Sequence, residues 1–357
     1  MLLKTEGKRR IVPYDQALGI EDLPFKMSVA TMLLCAWWAA SQGSYQDAED
    51  AILISTGIRI NDDTIRLVTN CIGKAVFEED CRKVDSLFEK YDAGILDFSQ
   101  RKGVLYIEAD GAALNTRHKN NDGSSWRENK LGIVFSSDNI RCWRGKGGER
   151  RHEILKREYV SYVGSVDIFK RHLFACAYRN GYGSYEKTVI ISDGAAWIAH
   201  MSEELFPDAL RILDLFHLKE NVYSYAKCRF NQNESKYKPW AEEICDALED
   251  GKWEEVLKSL SPEETYPNCV NLYHYIYENR NSINYPDYKA NGYFVGSGAI
   301  ESANKIVLQE RLKRSGMRWE PQFAQYLLTL KSKQESGLWE RDVSSFIRSN
   351  CNLLTKK

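Results

Sequence analysis

Residues Thr188–Leu218 read TVIISDGAAWIAHMSEELFPDALRILDLFHL, and this stretch decides the fold class. Val189-Ile190-Ile191 is an apolar run without polar alternation, as expected of a strand buried on both faces. Ser192-Asp193-Gly194 ends it in a turn that leaves a carboxylate at the strand's carboxyl end. Ala195–Leu205 then carries apolar residues at helical spacing, and Pro207-Asp208 stops it. A second apolar strand, Arg211–Leu213, runs into Asp214-Leu215-Phe216-His217. The class is therefore α/β. Open α/β sheets build their sites where strands end, so Asp193 and the Asp214/His217 pair are expected near each other.

Toward the amino terminus, Val104–Ala109 reads as a strand followed by Asp110-Gly111, and Lys130–Ser136 and Ile154–Val163 read as two more. Asp167–Tyr178 looks helical. Three consecutive strands before the alternation predict a mixed sheet with an antiparallel meander at one edge. Residues 1–100 form an all-helical region ahead of it. Met1–Tyr14, with Lys4, Lys8, Arg9 and Arg10, is expected to be a mobile arm. Leu18–Ala40 is helical, with Trp37-Trp38 assigned to a core. Residues 44–76 show helix, Gly57 break and a second helix capped by Asn61-Asp62, the outline of a helix-turn-helix. That second helix offers only Arg66 and Lys74 as cations, so a plain helical hairpin competes with a DNA-reading role. Asp80–Gln100 continues as a charged amphipathic helix leading into the next domain. Beyond His217, residues 219–295 are helical and rich in Trp and Tyr. Ser297-Gly298 opens a helix with Glu301 in its first turn, ending near Gly316. Glu320–Lys333 is another helix, and 336–357 is a polar tail. The divisions are thus 1–100, 101–218, 219–295, 296–335 and 336–357.

With 357 residues, 43% hydrophobic and 28% charged, the chain has the composition of a soluble protein of two or three domains. No apolar run approaches the ~18 residues of a membrane span, and the expectation is a cytoplasmic protein without a membrane partner, to which the resemblance given below adds association with the nucleoid. Nine cysteines are scattered without a CxxC pair, which suits reduced thiols rather than a zinc ribbon or disulfide framework. There is no GxSxG elbow of an α/β hydrolase. A net charge of −1 carries no global sign of nucleic acid, but charge is uneven. Residues 111–160 hold eleven Lys/Arg against six Asp/Glu, and residues 301–335 hold seven against four.

Three carboxylates stand out: Asp110, Asp193 and Glu301, each with glycine close by to admit a ligand. Individually each is ordinary, since Asp-Gly is a common turn and a glutamate favours a helix N-terminus. Together at a sheet edge they could hold two Mg²⁺ (or Mn²⁺) ions, which take hard oxygen ligands. Lys305 and Asn304 share the helical face of Glu301. Arg311, Lys313, Arg314 and Arg318 are the expected phosphate contacts, and Trp319 is placed either to stack on a displaced base or to pack. His217 either touches a phosphate or holds Asp214 in place.

The segments EADGAAL (108–114), SDGAAWI (192–198), FPDALRILDLFHLK (206–219) and GSGAIESANKIVLQERLKRSGMRW (296–319) resemble the bacterial insertion-sequence transposases of the ISLre type, a group similar to the Mutator-like DDE transposases. The likeness runs in order from about residue 45 to 333. It implies an RNase H-like catalytic domain with a helical insertion before the glutamate helix, and Asp110, Asp193 and Glu301 as the DDE triad. Asp214 and His217 match the aspartate-x-x-histidine element of that group. The activity implied is metal-dependent cleavage at element ends and strand transfer to target DNA, by a homo-oligomer assembled on DNA. A catalytically inactive DNA-binding derivative, or an RNase H-like nuclease without strand transfer, is the alternative. Relatives often carry a cysteine-rich zinc segment ahead of the helical region; these residues have none, which leaves recognition of the element ends unassigned.

Overall fold

The computed structural model describes residues 4–6, 9–11, 13–17, 20–94, 100–119, 123–148 and 150–354. The expected mobile arm instead contains a short antiparallel pair, Lys4–Glu6 with Arg9–Ile11; Lys8 lies outside the described residues. After a one-turn helix at Pro13–Ala17 come three longer helices, each started by a side chain that accepts from a first-turn amide. They are α1 (Val29–Ser41, capped by Ser28), α2 (Tyr45–Thr56, capped by Ser44) and α3 (Asp62–Asp92, capped by Asn61). Gly57 closes α2 in the left-handed conformation at φ 72°. The second helix of the expected helix-turn-helix does not end at Val76. It continues to Asp92, absorbing the helix expected from Asp80, because no Gly or Pro break follows and Glu78 and Glu79 pair with Lys74, Arg82 and Lys83 one turn away. Trp37 is 37% exposed and meets Trp339 edge-on at 5.0 Å, so it is not interior as the sequence suggested.

A five-stranded mixed sheet forms the centre. Its strands are β1 (Arg101–Asn115), β2 (Trp126–Ser136), β3 (Glu158–Val163), β4 (Tyr185–Ser192) and β5 (Leu210–Leu213), ordered β3-β2-β1-β4-β5. β1–β2 and β2–β3 are antiparallel, whereas β1–β4 and β4–β5 are parallel. The meander and the α/β alternation are both present. The expected strand Ile154–Val163 is two pieces: Arg150–Ile154 pairs with Ile140–Arg144 in a separate hairpin, and Glu158–Val163 joins the sheet.

Strand alternation sorts the layers. On β1, Leu105, Ile107 and Ala109 face Phe169 and Leu173 of α4 (Val166–Arg179) and Ile198 and Met201 of α5 (Ala196–Leu205). The intervening positions point to the opposite core, where Tyr106 packs in one cluster with Ile300, Ala303 and Val307. Glu108 and Asp110 share that face. α6 (Leu215–Arg229) leads into the helical block, which includes Glu234–Glu249 and Leu272–Asn279. The chain returns as the glutamate helix, Gly298–Ala303, continuing as a π segment over Asn304–Gln309.

Helix Pro321–Glu335 covers the free edge of β3: Gln325 Oε1 accepts from the Val163 amide at 2.8 Å, and Ser336 Oγ from the Tyr159 amide at 2.8 Å. The expected polar tail is packed as far as Leu354. Trp339, Val343 and Ile347 are buried, and Asp342 meets Lys333 at 3.2 Å. Its apolar residues recur at helical spacing, a pattern masked by the charges between them. Among the described residues no helix is long and apolar enough to cross a membrane.

Candidate active site

Register assembles the acids. Glu108 pairs with Ile191 across β1 and β4, and Ser192 pairs with Leu213 across β4 and β5. Asp110, Asp193 and Asp214 follow those pairs by one or two residues. Asp193 and Asp214 leave the ends of β4 and β5, while Asp110 lies within β1, which does not end at Ala109 as expected but runs on to Asn115 beside β2, just past its last pair with β4. Asp193 Oδ1 accepts from the Ala195 amide at 2.9 Å, while its carbonyl accepts from the Tyr275 hydroxyl at 2.8 Å. The helical block thus buttresses the turn.

Asp110 accepts from the Gly111 amide at 2.7 Å and from the Asn304 side-chain amide. Burial raises its pKa, the amide bond opposes this, and the neighbouring Asp193 charge raises it further. Asp214 is fully buried. It caps α6 through the Phe216 amide at 3.0 Å and accepts from His217 Nδ1 at 2.5 Å and Ser297 Oγ at 2.6 Å. Burial works to raise its pKa, but these hydrogen bonds prevail and hold it below the ordinary carboxylate value. The same bond lifts His217 to about 9, with the Asp193 charge contributing, so His217 is an imidazolium at neutral pH.

Sequence reasoning missed Glu108. It is 1% exposed, and Oε2 accepts from the Ile300 amide at 2.8 Å, pinning the first turn of the glutamate helix to β1. Burial, together with the nearby Asp214 and Glu301 charges, pushes its pKa up to about 8. The available signal was a carboxylate at an inward position within the apolar run VLYIEA.

Glu301 is exposed, with one oxygen within 4.8 Å of ligand atoms of both Asp214 and His217, a group that could hold a metal ion. Asp110, Asp193 and Glu301 do not close to that mutual distance among the described residues. A single ion would demand that closure; a pair of ions about 3.5–4 Å apart does not, because different acids then serve different ions. The π segment begins at Asn304, the residue bonded to Asp110, and such segments are frequent at functional sites.

The proposed DNA contacts divide. Lys305, Lys313, Arg314 and Arg318 are exposed, with Arg314 paired to Asp47 at 2.8 Å. Arg311 and Trp319 are buried and do not face solvent as phosphate or base contacts. Arg311 Nε donates to the Ala39 carbonyl at 2.8 Å, tying the helical region to the glutamate helix, and Trp319 Nε1 donates to the Leu312 carbonyl at 3.0 Å. Asn304 is buried beside Asp110, and Arg66 pairs with Asp63 at 2.9 Å.

A carboxylate cluster at the carboxyl edge of a mixed sheet, covered by a returning helix, defines an α/β protein with a site of hard oxygen donors. The chain belongs to an uncharacterised protein family (UPF0236), whose sequence profile matches residues 38–346. A similar protein from Streptococcus gallolyticus, named "UPF0236 protein in vanSb 3'region", is 22% identical over 382 aligned residues, covering 99% of this chain and 76% of that one.

Proposed function

We propose that this chain is a DDE transposase with an RNase H-like catalytic domain, cleaving DNA at insertion-sequence ends and joining the freed 3′-hydroxyl to target DNA. The observation that carries the reading is the register: Asp110 of β1 and Asp193 at the end of β4 each stand two residues beyond the last parallel pair, Glu108 with Ile191, and the helix bearing Glu301 is pinned to β1 through Glu108. The strand order β3-β2-β1-β4-β5, with its helical block before the glutamate helix, supports it.

Asp110, Asp193 and Glu301 would hold two Mg²⁺ or Mn²⁺ ions. The donor set fits, being all oxygen, with the Asp193 charge raising the pKa of Asp110. Bound there, the ions supply activation of a water or 3′-hydroxyl and stabilisation of the departing 3′-oxygen. The protein's own contribution is orientation. Asn304 aims Asp110, the Ala195 amide aims Asp193, and Glu108 anchors the turn carrying Glu301. His217, held charged by Asp214, offsets phosphate charge beside the acids.

The test is cleavage and strand transfer on DNA carrying the sequences that flank the gene, with Mg²⁺ or Mn²⁺. Asp193→Asn should abolish both reactions and leave DNA affinity within about twofold; full cleavage by that variant refutes the assignment. A second reading, an inactive DNA-binding derivative, takes support from the exposed Glu301 lying with Asp214 and His217 rather than closing on Asp110 and Asp193. It predicts binding without cleavage by the wild-type chain under the same conditions.

A further inference from the structure

A cavity of about 450 Å³ lies away from the acids, between the helical region and the segment after the glutamate helix. Its size falls within the ~300–1,000 Å³ of small-molecule sites. Its walls hold several polar groups that find no partner among the described residues. Both the oxygen and the nitrogen of the Asn70 amide are closed off and unbonded, in a residue only 8% exposed. The Tyr45 hydroxyl and Arg311 Nη2 are in the same state. Buried polar groups are nearly always hydrogen-bonded, so three residues with unbonded atoms around one cavity are unusual for a purely structural interface. The Arg311 guanidinium lies 4.6 Å from the Tyr45 ring and 5.3 Å from the Trp319 ring, which holds it against the wall. Phe323, 36% exposed, stands at the mouth. Arg66, Arg117 and Arg318 line the opening against Asp62 and Glu320, so cations outnumber anions even before Arg311 is counted.

We propose that this cavity binds an unpaired nucleobase together with its attached phosphate. An amide with a free donor and a free acceptor suits a base edge, since asparagine bonds bases in pairs of contacts. An aromatic ring at the entrance supplies a stacking face for any base. The arginines answer the phosphate. A rotation of the Asn70 side chain on ligand entry satisfies the buried amide. That the base belongs to a DNA strand rests on the transposase reading; the chemistry of the cavity does not. Arg66 and Arg318, which the sequence offered separately as DNA contacts, line this one space, and the buried Arg311 and Trp319 form part of its wall.

The test uses the full chain with EDTA, so that no cleavage intervenes. The probes are fluorescent dA4, the same backbone with abasic internal sites, and free dAMP as competitor. The dA4 strand should bind at least tenfold tighter than the abasic strand. Asn70→Leu and Phe323→Ala should each erase most of that difference while leaving abasic affinity within twofold. Asn70→Leu should also melt no lower than the wild type, because it removes unbonded polar atoms; a purely structural asparagine would give a lower melting temperature. If Asn70→Leu does not fold, Phe323→Ala at the surface decides alone. Equal binding of dA4 and the abasic strand overturns the proposal, as does wild-type dA4 affinity in the variants. Competition by dAMP as strong as by dA4 overturns the strand as occupant. Cleavage activity with no base-dependent binding would sink the cavity and keep the enzyme; the converse would do the opposite.

Discussion

Replacing Glu108 by glutamine should stabilise the metal-free protein at alkaline pH and not at acid pH. The native carboxyl has its pKa raised from 4.5 to about 8, so the folded state holds a proton that the unfolded chain releases. Stability then falls as pH rises, by about 1.4 kcal/mol per pH unit, between the unfolded and folded values. The contribution is complete below pH 4.5 and lost as pH climbs through about 8. Over that window the wild type gives up on the order of 4 kcal/mol. Glutamine keeps an oxygen for the Ile300 amide, does not titrate, and costs about 1 kcal/mol for an amide hydrogen without a partner. The variant should therefore be roughly 3 kcal/mol more stable than wild type at pH 8 and about 1 kcal/mol less stable at pH 4.5. Urea midpoints measured in EDTA at both pH values give the comparison. A variant weaker than wild type at pH 8, or an offset independent of pH, would refute the reasoning.

His217 should titrate near pH 9 in an NMR experiment on its ring protons, and Asp214→Asn should return it toward the ordinary value of about 6.5. The stability it contributes is full below about 6.5 and disappears as pH rises through about 9; a wild-type value at or below 6.5 would sink the Asp214–His217 account. Gly194 sits at φ +89°, and an added Cβ would stand 2.9 Å from atoms of Leu213 and Tyr275. Gly194→Ala should cost about 2 kcal/mol in thermal or urea unfolding and lower cleavage by displacing Asp193; unchanged stability contradicts this. Arg311→Met removes the bonds to the Ala39 and Gly43 carbonyls and should destabilise by about 3 kcal/mol, with faster proteolysis between the helical region and the sheet. Wild-type protease resistance would show that the tie carries no load.

Local pattern was enough to read much of this molecule. The buried run at 189–191, the Asp193-Gly194 turn, the cap at Asn61 and the strand-helix-strand order all follow from steric and hydrogen-bonding preferences within a few residues, and the structure contains them, whereas Asp110-Gly111, read as the end of a strand, lies inside β1 because the pairing with β2 carries the strand on to Asn115. The parity of β1 was legible as well, since alternate side chains must point to opposite faces. What tertiary packing alone decided was partnership. Nothing within VLYIEA says that Glu108 will meet the Ile300 amide, a contact made across 192 positions. Nothing near Arg311 says that it will bury itself against Ala39 rather than reach a phosphate, or that residues 336–354 will fold back onto α1 and α3. The physical reason is one of range. Backbone conformation answers to neighbours in the chain, whereas the burial, protonation and pairing of a side chain answer to whatever surface the finished fold sets against it.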